Sequence, residues 1–257
     1  MPNAPADFVD GIPEPWDLAK TRPSDEAFYR IVDRMDQDSN YLAGVMQEFQ
    51  SETDPNRLKW LAFMMGDLRD KPEITNLAGQ MLFSGNEQSA HSALFLLSRL
   101  QQHDPAARGL VLQSLGASQE PTTIIASMNA LGRVAKEISY SQKEQLLQQL
   151  TPLTQHNDTS VRRRSYELLF RWLSSDPFIH RTLSTGLKDS DHKVRRSTLI
   201  GFIDHPRSEV SVKLALMDVL NNTQEREQNR KLAQRALFKM ELEPDERSHV
   251  QAIAKTF

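Results

Sequence analysis

Between Gln155 and His205 the chain says the same thing twice. Asp158-Thr159-Ser160-Val161-Arg162-Arg163 returns 33 positions later as Asp191-His192-Lys193-Val194-Arg195-Arg196, and each copy opens an apolar helical run. A unit of that length cannot cover its own apolar side, but a stack of such units can. The recurrence therefore predicts a row of helical modules rather than one closed globule. A chain of 257 residues has ample length for such a row.

The remaining sequence divides in the same way. Residues 1–23 hold Pro2, Pro5, Pro13, Pro15 and Pro23 beside Asp7, Asp10, Glu14 and Asp17. Proline at that density removes amide donors and fixes φ, so this stretch reads as an extended acidic arm. Its Trp16 is more than a spacer needs, and is a candidate either to cap the first helices or to contact a partner. Ser24, Asp25 and Glu26 then open a helix, and Phe28, Ile31, Val32 and Met35 share one of its faces.

Six helix pairs follow. Residues 41–50 pair with 55–68, 74–83 with 88–100, 105–115 with 121–134, 143–153 with 159–173, 177–187 with 191–203, and 209–220 with 226–240. A last helix spans 244–254. Asp54-Pro55, Asp104-Pro105, Glu120-Pro121, Asp176-Pro177 and Glu243-Pro244 place a proline in the first helical turn, where its missing amide is harmless. In the second helix of each pair the apolar spacing recurs: Leu58, Leu61, Ala62, Met65, then Ala90, Ala93, Leu94, Leu97, then Ile124, Ser127, Met128, Leu131. Val161, Ser165, Leu168, Leu169 and Val194, Ser197, Thr198, Gly201 continue it. The runs Phe63-Met64-Met65 and Leu94-Phe95-Leu96-Leu97 are expected to be core.

On these residues the chain resembles the HEAT-repeat family of armadillo-like α-solenoids. Repeats of that family join two antiparallel helices through a turn holding an Asp, with Val-Arg opening the second helix. Asp158 with Val161-Arg162 and Asp191 with Val194-Arg195 fit this signature, and Asn229-Arg230 stands in the Val-Arg place further on. The family's usual proline within the first helix is expected to be missing here. The resemblance implies an all-α, right-handed solenoid of about six pairs over 24–257, and a role in binding rather than catalysis. It also implies that Arg162 and Arg195 are structural, each bonding the turn aspartate of an adjacent unit.

Composition narrows the chemistry. The chain has no cysteine, which excludes disulfides, thiolate metal sites and cysteine nucleophiles. No apolar run reaches the roughly 18–20 residues of a membrane helix, and residues 1–10 lack the basic start and apolar core of a secretory signal. The compartment stays open between cytoplasm and periplasm. The seven histidines form no His-x-His or His-Glu-x-x-His motif, and neither a nucleophile elbow nor a phosphate loop is present, so no metal, cofactor or catalytic residue is assigned. The acidic residues Glu241, Glu243, Asp245 and Glu246 read as the start of the last helix.

Charge is uneven. Residues 1–128 carry 10 Lys and Arg against 18 Asp and Glu, and residues 129–257 carry 21 against 16, so net −8 is followed by net +5. Arg163, Arg164, Lys193 and Arg196 fall where stacked second helices would set them in a row. They are the candidate contacts for a protein partner, an acidic one in particular. A nucleic-acid reading of the DNA-glycosylase type, drawing on Trp172 and Asp176 at i, i+4, is disfavoured by the sequence pI near 6.2. A third reading is an accessory domain of an envelope-anchored protein, with residues 1–23 as its tether.

Overall fold

In the computed structural model the described residues are 25–132, 140–173, 179–207 and 209–254. The arm 1–23, with Trp16, lies outside them, as do Asp176 and Pro177. Within the described residues there are fourteen α-helices and no strand. The chain divides into two compact units at residues 135 and 136.

The first unit contains α1 (Asp25–Gln37), α2 (Ser39–Ser51), α3 (Pro55–Gly66), α4 (Pro72–Leu82), α5 (Glu87–Leu100), α6 (Pro105–Ala117) and α7 (Pro121–Leu131). Each even-numbered helix from α2 packs against the one that follows. The second helices α3, α5 and α7 also pack on one another, and the first helices α2, α4 and α6 form the opposite layer. Between the layers Leu61, Ala62, Met65, Ala93, Leu94, Leu97 and Met128 are almost fully buried. Those are the positions of the recurring spacing, and each buried aliphatic side chain contributes roughly 1.5–3 kcal/mol relative to exposure.

The second unit contains α8 (Tyr140–Leu153), α9 (Thr159–Leu173), α10 (His180–Thr185), α11 (His192–Asp204), α12 (Val210–Asn221), α13 (Glu227–Phe238) and α14 (Pro244–Ala254). A 3-10 turn, Gly186–Lys188, continues α10 and packs on α11. The order repeats that of the first unit: α9, α11 and α13 lie side by side, α8 packs on α9, the 3-10 turn after α10 on α11, and α12 on α13. Val161, Leu169, Val194 and Leu199 sit in its core with no exposure. Ser165 and Thr198 are tolerated there because each hydroxyl donates to the carbonyl four residues back, Val161 and Val194 respectively.

Helix starts follow local chemistry. The side chains of Asp38, Asp54, Asp104 and Asp191 accept from the first free amides of α2, α3, α6 and α11. Glu120 makes no such bond, so a proline in the first turn is sufficient there. The same is true of Lys71-Pro72, which opens α4 two residues before the expected start. Pro152 lies inside α8, so the proline expected to be missing from the first helices is present in one of them.

Candidate partner-binding face

The face is built where α9 meets α11, and a polar joint holds the two helices together. Arg162 donates from Nε and Nη2 to the two oxygens of Asp189, 2.8 and 3.0 Å away, and from Nη1 to the carbonyls of His156 and Asn157. Arg195 repeats the arrangement one unit on. It donates from Nε and Nη2 to Glu225, and from Nη1 to the carbonyls of Asp189 and Ser190. Both guanidiniums are bonded within the protein, and their acceptors are not the signature aspartates.

Asp158 and Asp191 are helix caps. Asp158 Oδ1 takes the amides of Ser160 and Val161, and Asp191 Oδ1 takes that of Lys193. The acceptors that tie the units stand two positions before Asp191 and one before Arg226, at Asp189 and Glu225. In the first copy the position matching Asp189 is His156, whose Nδ1 accepts from the Asp158 amide at 3.0 Å, as Asp189 does from Asp191 at 2.8 Å. The Arg162 guanidinium is held charged chiefly by its bond to Asp189. Burial pushes the Glu225 carboxyl up, but Arg195, the Arg226 amide and Asn229 together hold it below the usual carboxylate range. Asn229 is itself buried and donates to both the His192 carbonyl and Glu225, which explains why it replaces valine at that place.

Above this joint runs a cavity of about 700 Å³. Its cations are Lys143 from α8 and Arg164 and Arg171 from α9. Its carboxylates are Glu167 and Asp204, and its apolar floor includes Leu168, Phe170 and Ile200. Glu167 spans the two helices: it accepts from Arg164 at 2.8 Å and from the Ser197 hydroxyl at 3.1 Å, and lies 3.7 Å from Arg163. Gly201 lets the floor form, since a Cβ there would stand under 3.0 Å from the Phe170 ring, which meets Phe202 edge-on at 4.9 Å.

Of the four predicted contacts only Arg164 lines this groove. Arg163 stands beside Glu167, and Lys193 and Arg196 are exposed on the preceding turns of α11. The sequence reading assigned no contact to Lys143, Arg171, Asp204 or His205 and weighed Trp172 only in the disfavoured nucleic-acid reading. The signal was available: Arg164, Glu167, Arg171 and Trp172 stand 33 positions before Ser197, Ile200, Asp204 and His205, the same offset as the signature. Trp172 is 8% exposed, and among the described residues neither its buried indole Nε1–H nor the buried Arg164 Nε has an acceptor. A buried donor left unpaired costs about 1–3 kcal/mol.

The second-helix face of the first unit differs. Phe63 and Phe95, expected in the core, are only half-buried and meet edge-on at 5.7 Å, with the Arg99 guanidinium 4.6 Å over Phe63. Phe95 lines a cavity of about 550 Å³ between α3 and α5. They lie in apolar runs, but helical rotation turns them out of the stripe that buries Met64, Met65, Leu94, Leu96 and Leu97. Among the described residues no helix is long and apolar enough to cross a membrane.

No protein-family model matches the chain, and no curated protein matches it. Solved structures do. The Mot1 N-terminal domain, in complex with TBP, matches 87% of this chain with a TM-score of 0.61 at 17% identity; the chain spans 32% of that one. A computationally designed armadillo repeat protein for modular peptide recognition matches 82% of this chain and 99% of its own, with a TM-score of 0.50 at 13% identity. A HEAT-like repeats protein from Thermococcus onnurineus NA1 matches 94% of this chain and 98% of its own at a TM-score of 0.49 and 12% identity. At such identities the likeness is one of fold.

Proposed function

We propose that this chain, a HEAT- and armadillo-like repeat protein, is a non-catalytic scaffold that holds another protein on the face made by its second helices. The observation that carries the reading is the joint between α9 and α11. Arg162–Asp189 and Glu167–Ser197 fix the two helices before any partner arrives, so the polar row they display does not have to be ordered on binding, and association avoids that entropic cost. Proteins of this fold serve such a role: the Mot1 domain was solved with TBP, and the designed armadillo protein was made for peptide recognition.

The contacts assigned to the partner are Arg163, Arg164, Lys193 and Arg196. Three are exposed and the fourth is half-buried. Trp16, outside the described residues, is assigned a separate contact from the arm. The test replaces the four basic residues with serine and captures partners of wild type and variant from the native host, with mass spectrometry to name them and calorimetry to measure affinity. The variant is expected to lose most of the affinity for a protein partner. Unchanged affinity removes the assignment, and a wild-type chain that shifts duplex DNA at low ionic strength while capturing no protein replaces the reading with a nucleic-acid one.

A further inference from the structure

The geometry points to an acidic peptide segment, with carboxylate and aliphatic side chains interleaved, as the occupant of the groove between α9 and α11. This inference rests on the scaffold reading above and names the chemistry of the partner that reading leaves open.

Two observations converge on it. The first is charge. Glu167 is already met by Arg164 and Ser197, so its charge is largely answered within the groove. Among the described residues Lys143 and Arg171 have no carboxylate at ion-pairing distance, and Asp204 is the one remaining acid in the lining. The groove is therefore left with a positive surplus, and the exposed Lys193 and Arg196 add to it along α11. The second is the floor, where Ile200, 41% exposed over the buried Leu168 and Phe170, offers apolar surface that a purely ionic ligand would leave wet.

The same features select against a nucleic-acid backbone. A run of phosphates carries charge at every step and would be forced past Glu167 and Asp204, whereas a peptide can place its carboxylates at Lys143 and Arg171 and its aliphatic side chains elsewhere. An Arg or Lys peptide would add to the surplus rather than answer it.

The chain's three tryptophans provide the readout. With Trp16→Phe and Trp60→Phe in place, Trp172 is the only emitter, and it lies in the groove. Three probes are titrated into the full chain: an eight-residue peptide alternating Glu and Leu, its Gln-Leu counterpart, and a duplex oligonucleotide. The Glu-Leu peptide is expected to shift Trp172 emission to saturation, with the Gln-Leu peptide bound roughly tenfold or more weakly. The Lys143→Ser, Arg171→Ser variant changes residues at the groove's open side and is expected to lose the same factor, with circular dichroism confirming its helix content. Equal binding of the two peptides, saturation by the duplex alone, or no response to the Glu-Leu peptide each overturn the proposal. A native partner that loses hold on the four-serine variant yet ignores Lys143→Ser, Arg171→Ser leaves the scaffold standing and removes the groove. A partner indifferent to both removes the scaffold reading as well.

Discussion

Arg162 and Asp189 are 27 residues apart in sequence and meet through two parallel hydrogen bonds of 2.8 and 3.0 Å. Their side chains are 13% and 8% exposed. A bidentate pair this sheltered fixes the angle between α9 and the turn before α11, which a lysine could not do with one rotating ammonium. Removing Asp189 leaves the guanidinium to the carbonyls of His156 and Asn157. Asp189→Ala is expected to destabilise the second unit by about 3 kcal/mol. The Arg162→Ala, Asp189→Ala double variant should cost clearly less than the sum of the single changes. Urea unfolding of the four chains closes that cycle, and simple additivity would show that the pair does not act as a unit.

Asp158 belongs to the signature as much as Asp189 belongs to the joint, and the two should behave differently. Its oxygen serves two amides of its own helix and, among the described residues, no side chain of a neighbouring unit. Asp158→Ala is expected to cost about 1 kcal/mol, and Asp158→Asn or Asp158→Ser much less, as at any helix cap. Thermal melts of the three variants test this. A loss for Asp158→Ala as large as that for Asp189→Ala would mean the cap also ties units together.

Gly201 is small because Phe170 needs its space. Gly201→Ala should lower stability by about 1–3 kcal/mol through overpacking, despite the better helix propensity of alanine. Adding Phe170→Leu should recover part of that loss by vacating the ring's position. Calorimetric melting of the single and double variants shows whether space or backbone freedom sets the requirement.

Glu225 predicts an acid-sensitive contribution. Its carboxyl is held below the usual range in the folded chain, because Arg195, the Arg226 amide and Asn229 outweigh the upward push of burial. A depressed folded pKa means the stabilisation is complete above the unfolded glutamate value of about 4.3 and disappears as pH falls through the folded one. Glu225→Gln should therefore be less stable than the native chain at pH 7, with the gap closing steadily below about pH 4.3. Chemical unfolding at pH 7, 5, 4 and 3 measures the gap, and a constant difference would remove the ionic contribution.

The helices were legible because they depend on neighbours in sequence. Asp54 and Asp104 sit beside the prolines they precede, and the spacing of Leu61, Ala62 and Met65 is a property of one helix. What was misread depends on rotation or on distance. Phe63 adjoins Met64 in sequence, yet a step of one residue around a helix is enough to turn it out of the core. Lys143 joins Arg171 only because α8 folds back on α9.

The sequence by itself determined that the chain is a succession of paired helices, since a period of 33 residues and an apolar stripe are written locally and need no partner to be read. Only the tertiary structure decided which acids bind the units. Asp158, Asp189, Asp191 and Glu225 all stand at helix starts, and they differ in whether an arginine from the neighbouring unit comes within reach. That distance is set by how helices pack, and packing is a sum over many side chains that no single motif carries.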